Sequence, residues 1–564
     1  MEQGRVFIAI VLSLLVFLVW DYFFVPRKPN VQPPAGQEET TGKAEPDHTP
    51  AQPAPVSPAG EPATQPVSPT ATAPAPEPRT DGPARTITVK TPLYTADLSE
   101  LGGNIKGFTL TEYRETTAKD SPFKQLMSAK NPLGSVRLDL PGVNMKGMEY
   151  RADTENDQIT VQDKSQSVTF SGTLPGGVIV KKTFSFSPDT YLIDLTIAVK
   201  NGSDHPLSVG PAVSLVKYES SDQKSRYGFT GPSGYINKKL KQIKLKKIAG
   251  YESETGNIGW IAIQEQYFIT SILPANPENM TMRVSMEKTA DKSALIHNQL
   301  IAPAATLNPN AENKFEYQLF FGPASLKLLK TYNNDLQKII YFGWFDIVAK
   351  PCLWVMNFIH DHLIANYGIA IILLTLLTKI LLWPLGQKSY KSMNDMKKLQ
   401  PLVAEIKEKY KNDKKKINEE TMALYRAYKV NPMGGCLPMV VQIPVFFGLY
   451  RMLYGAIELR HAPFFGWIND LSAPDRLFHF SFPIPFMQPP YGIPVLTLIM
   501  GATMFFQQKL QPSMGDATQA KMMMFMPIFF TFIFINFPAG LVLYWLVNNV
   551  FSIAQQHFTR GTNK

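Results

Sequence analysis

The sequence predicts a polytopic α-helical membrane protein of six spans that carries a large all-β domain outside the membrane. Three observations support this fold class. The 564-residue chain is only 45% hydrophobic overall, yet windows of about 19 residues separate an apolar N-terminus, a proline-rich stretch and a C-terminal third of repeated apolar spans. The polar middle of the chain alternates apolar and polar residues, as strands do. Positive charge is concentrated in one loop between the apolar spans, and this loop sets their orientation.

The N-terminus predicts a membrane anchor, residues 1–25, followed by a tether, residues 26–84. Val6–Val25 is nearly all apolar, and twenty helical residues cover about 30 Å, the thickness of the hydrocarbon. The bulky segment Trp20–Phe24 stands where a cleaved signal peptide would have small residues. Fifteen of the 55 residues from Pro29 to Pro83 are proline, so the tether cannot build a core.

The middle of the chain, residues 85–325, predicts an antiparallel β-sandwich. Thr86–Lys90, Val178–Phe186 and Tyr191–Val199 have the period of two that half-buried strands show. We find no catalytic constellation here, because Gly231–Gly234 lacks the spacing of a nucleophile elbow. The alternating basic run Lys238–Lys247 fits a solvated edge strand, and the alternative is a contact with anionic lipid.

Residues 326–365 predict a linker and a helix that lies in the outer membrane interface. Gly343–His362 is apolar except for one polar stripe, formed by Asp346, Lys350, Asn357 and Asp361. Pro351 should kink this helix. His360 and His362 are two residues apart and therefore face different sides, which makes a poor metal pair. No metal or other cofactor is predicted.

Five further apolar stretches predict the remaining spans, at Asn366–Leu385, Pro438–Ala456, Ile493–Leu510, Met522–Phe537 and Gly540–Gln556. The first is the second span, residues 366–385, and the others form a four-span remainder, residues 438–558, before a short tail at 559–564. The loop at 386–437 holds twelve Lys and Arg residues, whereas Leu459–Gly492 holds only two. The positive-inside rule therefore places both termini in the cytoplasm and the β domain in the periplasm of a bacterial inner membrane.

Charge and cysteine content narrow the function. The formal net charge of +10 is weak evidence for nucleic-acid binding in a membrane protein, and no specific nucleic-acid sequence is predicted as a partner. Cys352 and Cys436 fall on opposite membrane faces and cannot pair.

The charged loop predicts a hairpin of two helices, Lys388–Lys409 and Ile417–Lys429. It either merely connects spans or is a mobile basic arm that meets ribosomes or nascent chains.

Polar side chains within the spans concentrate toward the cytoplasmic side. Lys379 lies about six residues, or ~9 Å, from the cytoplasmic end of its span, and Gln442 lies ~6 Å inside the next one. Asn548 and Asn549 occupy the middle of the last span. A lysine among lipid tails costs roughly 2.5–3.5 kcal/mol on insertion scales, so Lys379 either faces a wet cavity or extends its amine to the interface.

The order of several motifs resembles the YidC/Oxa/Alb family of membrane protein insertases over about residues 366–558. These motifs are Lys379 with Trp383-Pro384-Leu385, Gln400-Pro401, Asn431–Pro438, Gln442-Ile443-Pro444 and Phe537–Tyr544. The anchor, tether and β domain resemble the Gram-negative form, whose β domain is a galactose-mutarotase-like supersandwich. The resemblance implies a non-enzymatic insertase for nascent inner-membrane proteins. It would work alone or with the SecYEG translocon, together with the ribosome and membrane lipids and without nucleotide hydrolysis.

The resemblance also implies a hydrophilic groove that opens to the cytoplasm and to lipid. Carried over by position, its cation is Lys379 and its amide Gln442, and Thr375, Tyr544 and Trp545 contact substrate. Asn548 and Asn549 complete the predicted groove. The family often has arginine in place of Lys379, and lysine lacks the planar fork for a bidentate grip on a carboxylate.

Two other functions remain compatible with the sequence. A transporter or proton channel would also carry an intramembrane lysine, but it needs polar access from both faces and usually internal repeats. A carbohydrate-active periplasmic protein would place paired carboxylates in the β domain, and the sequence does not exclude a binding cleft there.

Overall fold

A computed structural model describes residues 84–561, apart from 129, 132, 144, 146–147, 175, 220–228, 249, 290–292, 333, 412, 432–436 and 511–516. The predicted anchor at Val6–Val25, the predicted tether and Cys436 lie outside the described residues. Cys352 is a free cysteine.

The predicted all-β domain is confirmed, and the burial of the three strands predicted from the sequence alternates as their residues do. The strands are β1 (Thr86–Lys90), β2 (Tyr94–Ser99), β3 (Asn104–Arg114), β4 (Phe123–Gln125), β5 (Arg137–Asp139), β6 (Arg151–Ala152), β7 (Gln158–Thr160), β8 (Gln166–Thr173), β9 (Val178–Phe186), β10 (Leu192–Asn201), β11 (Leu207–Val209), β12 (Ala212–Glu219), β13 (Gly231–Ile236), β14 (Lys239–Gln242), β15 (Tyr251–Gly256), β16 (Ile258–Gln264), β17 (Phe268–Pro274), β18 (Met280–Lys288), β19 (Ala294–Ile301), β20 (Ala305–Leu307) and β21 (Glu312–Pro323). β1 and β9 have the predicted bounds, and β10 begins one residue later than predicted.

These strands form a nine-stranded sheet, two five-stranded sheets and a two-stranded sheet. The order in the largest sheet is β14-β13-β16-β17-β21-β10-β9-β8-β6. The prediction that the basic run Lys238–Lys247 forms an edge strand is confirmed in part, because β14 ends this sheet whereas Leu245–Lys247 forms a 3-10 helix. Aromatic side chains fill the core, with Trp260, Phe184 and Phe320 fully buried.

One charged side chain lies inside this core. Lys182, on β9, is 0% exposed. Its amine donates to the carbonyl of Val136 at 3.0 Å, to Asn104 Oδ1 at 3.1 Å and to the carbonyl of Gly102 at 3.2 Å. All three donors of the ammonium group are therefore satisfied, and they connect β9 to the segments around β3 and β5.

The remainder of the described chain is mainly helical. Its α-helices are α1 (Leu326–Thr331), α2 (Asp346–His362), α3 (Tyr367–Lys398), α4 (Gln400–Lys409), α5 (Lys414–Ala427), α6 (Leu437–Gly455), α7 (Val495–Leu510), α8 (Ala517–Phe534) and α9 (Ala539–Gly561). Short 3-10 helices lie at Leu245–Lys247, Leu336–Ile339, Gly343–Phe345 and Ile457–Leu459, and β22 (Leu477–Phe480) pairs with β23 (Tyr491–Ile493).

Helix α2 presents an apolar face to the outside. Ala349 and Met356 are fully buried against the neighbouring helices. Trp344, just before the helix, is 95% exposed, Ile347 83% and Trp354 62%. A helix with an uncovered aromatic face suits the membrane interface that the sequence predicts for it.

The helices of the charged loop differ from the prediction in their boundaries. The predicted helix Lys388–Lys409 is wrong as a single element, because α3 continues through Pro384 to Lys398 and a break at Leu399 precedes α4. Pro401 stands in the first turn of α4, where a missing N–H costs nothing. Asp413 caps α5 by accepting from the backbone N–H groups of Lys415 and Lys416, so this helix starts at Lys414 rather than Ile417.

Helix α3 begins at the predicted place because Asn366 caps it, accepting from the Ile369 N–H at 3.1 Å. By length and composition, Tyr367–Lys398 is the one helix among the described residues that is long and apolar enough to cross a membrane, and Met523–Phe534 is a shorter apolar stretch. Helix α7, with 16 residues, covers about 24 Å, which is less than the hydrocarbon thickness. Six spans therefore stay a prediction.

The β domain packs directly on the loop after α6. The guanidinium of Arg460 donates to the carbonyl of Arg114 at 2.5 Å, and the hydroxyl of Tyr267 donates to the carbonyl of Tyr454 at 3.3 Å. Ile457 is 4% exposed and belongs to the hydrophobic core of the β domain. The domain is thus joined to the helices by packing as well as by the chain.

A second set of contacts joins the linker to the same region. Lys327, in α1, pairs with Asp361 at the end of α2 at 2.8 Å. The hydroxyl of Ser325 donates to the carboxylate of Glu458 at 3.3 Å. Part of the polar stripe predicted on α2 is therefore used to hold α1.

Candidate functional site

The candidate site is a hydrogen-bonded chain of polar side chains between α3, α6 and α9. The amine of Lys379, on α3, donates to Ser552 Oγ on α9 at 2.8 Å. Ser552 in turn donates to the carbonyl of Asn548 at 2.8 Å. The cation predicted from the sequence is thus directed at the facing helix.

The amide predicted from the sequence joins the same chain. Gln442 Nε2, on α6, donates to Asn548 Oδ1 at 3.0 Å, and Gln442 also forms a side-chain hydrogen bond with Tyr544. Lys379, Gln442, Asn548 and Tyr544 are therefore connected, with Ser552 as the link to the cation.

Helix geometry explains why α9 supplies three members of this chain. Tyr544, Asn548 and Ser552 are four residues apart, a spacing that places side chains on one helix face. We call these three residues the α9 ladder. Sequence reasoning missed Ser552, although its spacing from Tyr544 and Asn548 is the signal that could have found it.

The other predicted site residues surround this hydrogen-bonded series of side chains and are not part of it. Thr375 is 0% exposed, and its hydroxyl donates to the carbonyl of Ile371 in its own helix at 2.6 Å. Asn549 is 3% exposed and donates to Thr503 Oγ1 on α7 at 3.2 Å. Thr375 is therefore bonded within α3, whereas Asn549 joins α9 to α7.

Trp545 packs within an aromatic cluster next to the α9 ladder. Its ring lies 4.5 Å from that of Phe446 in an edge-on contact and 5.0 Å from that of Phe534. This cluster connects α6, α8 and α9 on the side toward the turn between α8 and α9.

The charge of Lys379 has no acidic partner in the described part of the chain, where Ser552 is its hydrogen-bond acceptor. The residue Lys379 as a whole is half-buried. Apolar side chains that follow it on α3 point outward, with Ile380 59% and Leu381 78% exposed. An uncompensated cation thus lies beside an apolar surface.

Two buried charged groups lie beside the start of α7 and the turn between α8 and α9. Asp475 is 3% exposed and accepts from the indole N–H of Trp467 and from the backbone N–H of Leu496, each at 2.5 Å. Arg476 is 7% exposed and donates to the carbonyl of Ile535 at 2.8 Å. Burial raises the pKa of the Asp475 carboxyl, and hydrogen bonds to its charged form oppose the rise.

No group of three or more His, Cys, Asp or Glu side chains that could hold a metal ion occurs among the residues described. His360 stacks on Tyr367, with ring centroids 3.8 Å apart.

Two protein families match the chain. The family described as 60Kd inner membrane protein matches residues 358–564, and the family described as YidC periplasmic domain matches residues 86–355. Together they cover the β domain and the helices of the candidate site.

Full-length relatives show the same similarity. The chain is 42% identical to the membrane protein insertase YidC of Syntrophus aciditrophicus over 98% of each chain. It is 39% identical to that of Syntrophobacter fumaroxidans over 99% of each chain. A solved structure of an active YidC insertase is 20% identical, covering 84% of this chain and 93% of that one, with a TM-score of 0.35, too low to compare the folds. Because the sequence similarity extends over nearly the whole of both relatives, the chain belongs to the YidC family of inner membrane proteins.

Proposed function

We propose that this chain inserts proteins into the bacterial inner membrane. The observation that carries the proposal is the 42% identity over 98% of both chains with a relative named membrane protein insertase YidC. The hydrogen-bonded chain from Lys379 to Gln442 supports it, because it supplies polar groups inside a region that otherwise fits lipid.

The proposed topology has six spans, with the anchor, α3 and α6 to α9 crossing the membrane. Both termini lie in the cytoplasm, and the β domain lies in the periplasm. The charge of the 386–437 loop supports this orientation. Helices shorter than the bilayer, such as α7, are accommodated by local thinning of the lipid.

The proposed mechanism lowers the cost of moving polar segments through lipid. A polar segment in ~30 Å of hydrocarbon loses its hydrogen bonds to water. A wet groove beside Lys379 shortens the dry path, and the amine attracts acidic residues in the tail of the substrate. The apolar segment of the substrate then partitions into lipid and supplies the free energy. This mechanism uses no catalytic residue.

The proposed partners follow from the surfaces. Nascent inner-membrane proteins are the substrates, received directly or from the SecYEG translocon. The loop at 386–437, which contains α4 and α5, meets the ribosome or the nascent chain, because its twelve Lys and Arg residues outnumber its six Asp and Glu residues and attract anionic partners. Membrane lipids contact the exposed apolar faces of α2 and α3.

Depletion of this protein in its host tests the function. Small inner-membrane proteins with short periplasmic tails should stop inserting, as measured by protection of their tails from external protease, and wild-type protein should restore insertion. Unchanged insertion after complete depletion would contradict the proposal. A transporter would instead show loss of a solute or proton flux with insertion intact.

A further inference from the structure

The periplasmic loop before α7 contains a hairpin with an unusual composition. β22 and β23 pair antiparallel, and with their connection they span residues 477–493. We call this segment the aromatic hairpin. It contains four phenylalanines and a tyrosine but no Asp, Glu, Lys or Arg, and His479 is its single titratable side chain besides that tyrosine.

Its phenylalanines point away from the rest of the protein. Phe486 is 85% exposed, Phe478 66% and Phe482 61%. The rings of Phe480 and Phe482 stack at 5.3 Å, so these two contact each other. Such a cluster of exposed aromatic side chains is costly in water, and it marks an interaction surface.

The aromatic hairpin is held rigidly in spite of this exposure. Asn536, in the turn between α8 and α9, donates to the carbonyl of Phe486 at 2.7 Å and accepts from the Gln488 N–H at 2.8 Å. Arg476 donates to the carbonyl of Pro490 at 2.9 Å. Because Arg476 also donates to the carbonyl of Ile535 in the same turn, both ends of the loop are fastened to one point.

The attachment determines where the aromatic hairpin lies relative to the membrane surface. β23 ends at Ile493, and α7 begins at Val495. The turn to which the loop is fastened joins the ends of α8 and α9. In the proposed topology all three helix ends lie at the periplasmic boundary of the membrane, so the hairpin lies at that boundary too.

We propose that the aromatic hairpin is a membrane anchor that inserts Phe478, Phe482 and Phe486 into the headgroup region of the outer leaflet. The inference rests on the proposed topology. Lipid is the occupant that the features favour, because aromatic side chains concentrate at membrane interfaces. A segment held at the membrane boundary contacts lipid before any protein. A protein partner would favour a polar rim around the aromatic side chains, and this segment has no charged residue to form one.

Fluorescence quenching tests the proposal. Phe486→Cys is labelled with a nitrobenzoxadiazole dye in a chain with Cys352→Ser and Cys436→Ser, and the full protein is reconstituted in phosphatidylethanolamine–phosphatidylglycerol vesicles. Lipid with a spin label near the headgroup should remove about half of the fluorescence or more, whereas aqueous iodide should change it little, since the dye replaces an interfacial aromatic ring. Tyr251→Cys, at a site 64% exposed on the β domain, should show the reverse.

A label on α7 separates this proposal from the topology. Ile499 is 45% exposed, and a dye at Ile499→Cys should be quenched by a spin label deep in the acyl chains. If that dye is quenched but the dye at position 486 responds only to iodide, the anchor is rejected and the topology stands. If the dye at 486 responds to neither quencher, a protein surface covers it, which also rejects the anchor. Failure at position 499 rejects the topology.

Discussion

Lys379 is the residue whose environment bears most directly on function. The residue is half-buried, and its amine is hydrogen-bonded to Ser552, with no carboxylate of the described residues as a partner. A hydroxyl orients an ammonium group without neutralising it, so the positive charge stays available to an acidic group that arrives from outside. This arrangement supports the groove over an amine that extends to the interface, because the side chain is directed across to α9.

Substitution of Lys379 separates charge from structure. Lys379→Arg should retain insertion, Lys379→Leu should lower insertion of acidic-tailed substrates about tenfold, and Lys379→Glu should be worst. The tenfold figure corresponds to the lower end of the roughly 1.5–3 kcal/mol that a charge-assisted hydrogen bond contributes. The measurement is insertion of acidic-tailed and neutralised-tail substrates at matched protein levels.

Lys509 provides the matched control for this series. It is an exposed lysine in the last turn of α7, and its amine lies over the ring of Phe505. Lys509→Leu should insert both substrates as wild type does. Equal insertion of both substrates by Lys379→Leu would show that the charge of Lys379 does not act on the substrate.

Ser552 should act by positioning the amine of Lys379. Ser552→Ala removes the acceptor and should lower insertion of acidic-tailed substrates about fivefold, since one hydrogen bond contributes roughly 1 kcal/mol. Ser552→Thr keeps the hydroxyl and should insert normally. Thr378→Ala is the control, because that hydroxyl donates only within α3, to the carbonyl of Thr375. Similar losses in Ser552→Ala and Thr378→Ala would contradict a specific role.

Lys182 should make the stability of the β domain depend on pH. Burial lowers the pKa of Lys182 from its ordinary value of 10.5 to about 7, and Asp139 opposes the shift. Between these values the unfolded chain binds a proton that the folded chain does not. The free energy of unfolding should therefore rise with pH above 7, by at most about 1.4 kcal/mol per unit.

Lys182→Met should remove this slope between pH 7 and pH 9, measured as the urea midpoint of the full protein in detergent by pulse proteolysis. The slope is the readout because the substitution also leaves three acceptors without a donor, which lowers stability at every pH. Parallel slopes in the two proteins would show that Lys182 is not the responsible group.

Among single residues, the sequence located Lys379, Gln442 and Asn548, since charged and amide groups are rare in apolar spans. It did not locate Ser552. Serine is unremarkable in a helix, and its role depends on which face of α9 meets α3. The face of α9 that contacts α3 is set by how the two helices pack, and the spacing of residues along α9 alone does not determine it.

At the scale of elements, the apolar segments predicted the starts of α3, α6, α7 and α9 to within two residues and placed the start of α8 five residues late. The end of α3 was not predicted. Lysines and other good helix formers continue past Pro384, so the helix extends well beyond its apolar part. The sequence signal for the break, Pro401 in a first turn, marks only where the next helix can begin.

Helices α4 and α5 should be needed for insertion but not for folding. α4 buries no side chain, and α5 contacts mainly α4. Deletion of residues 400–427 should leave a bundle of unchanged thermal stability in detergent whose insertion activity falls at least about tenfold, as expected if their charge recruits the partner. Substituting Lys407, Lys409 and Lys411 with Gln tests the charge alone. Full activity of the deletion would make the hairpin a connector.

For the whole molecule, the contact between the β domain and the helices changes what a deletion should do. Removal of residues 86–323 keeps the pairs of Lys327 with Asp361 and of Ser325 with Glu458, but it uncovers Ile457. Insertion should persist, since the candidate groove lies in the helices, whereas thermal stability should fall by a few degrees because apolar surface is exposed.

Ile457→Ser should lower the thermal stability of the full chain but leave that of the truncated protein nearly unchanged, as measured by thermal unfolding in detergent, because in the truncated protein this side chain is exposed in both the folded and the unfolded state. Arg460→Ala in the full chain is the companion variant, because it loosens the contact with Arg114 without exposing a core. Complete loss of insertion by the truncated protein at normal abundance would contradict the view that the helices alone carry the activity.

The α9 ladder sets a length scale. Residues of the ladder are four apart, so each lies ~6 Å farther along the helix axis than the one before. Because the row of side chains is inclined by about 26° to the axis, neighbouring members are about 6.7 Å apart along the row. Alternate side chains of an extended polypeptide are ~6.6–6.8 Å apart. The two repeats are commensurate. Tyr544 and Ser552 are each 3% exposed, so an extended stretch of substrate could use this register only after α3 and α6 move apart from α9.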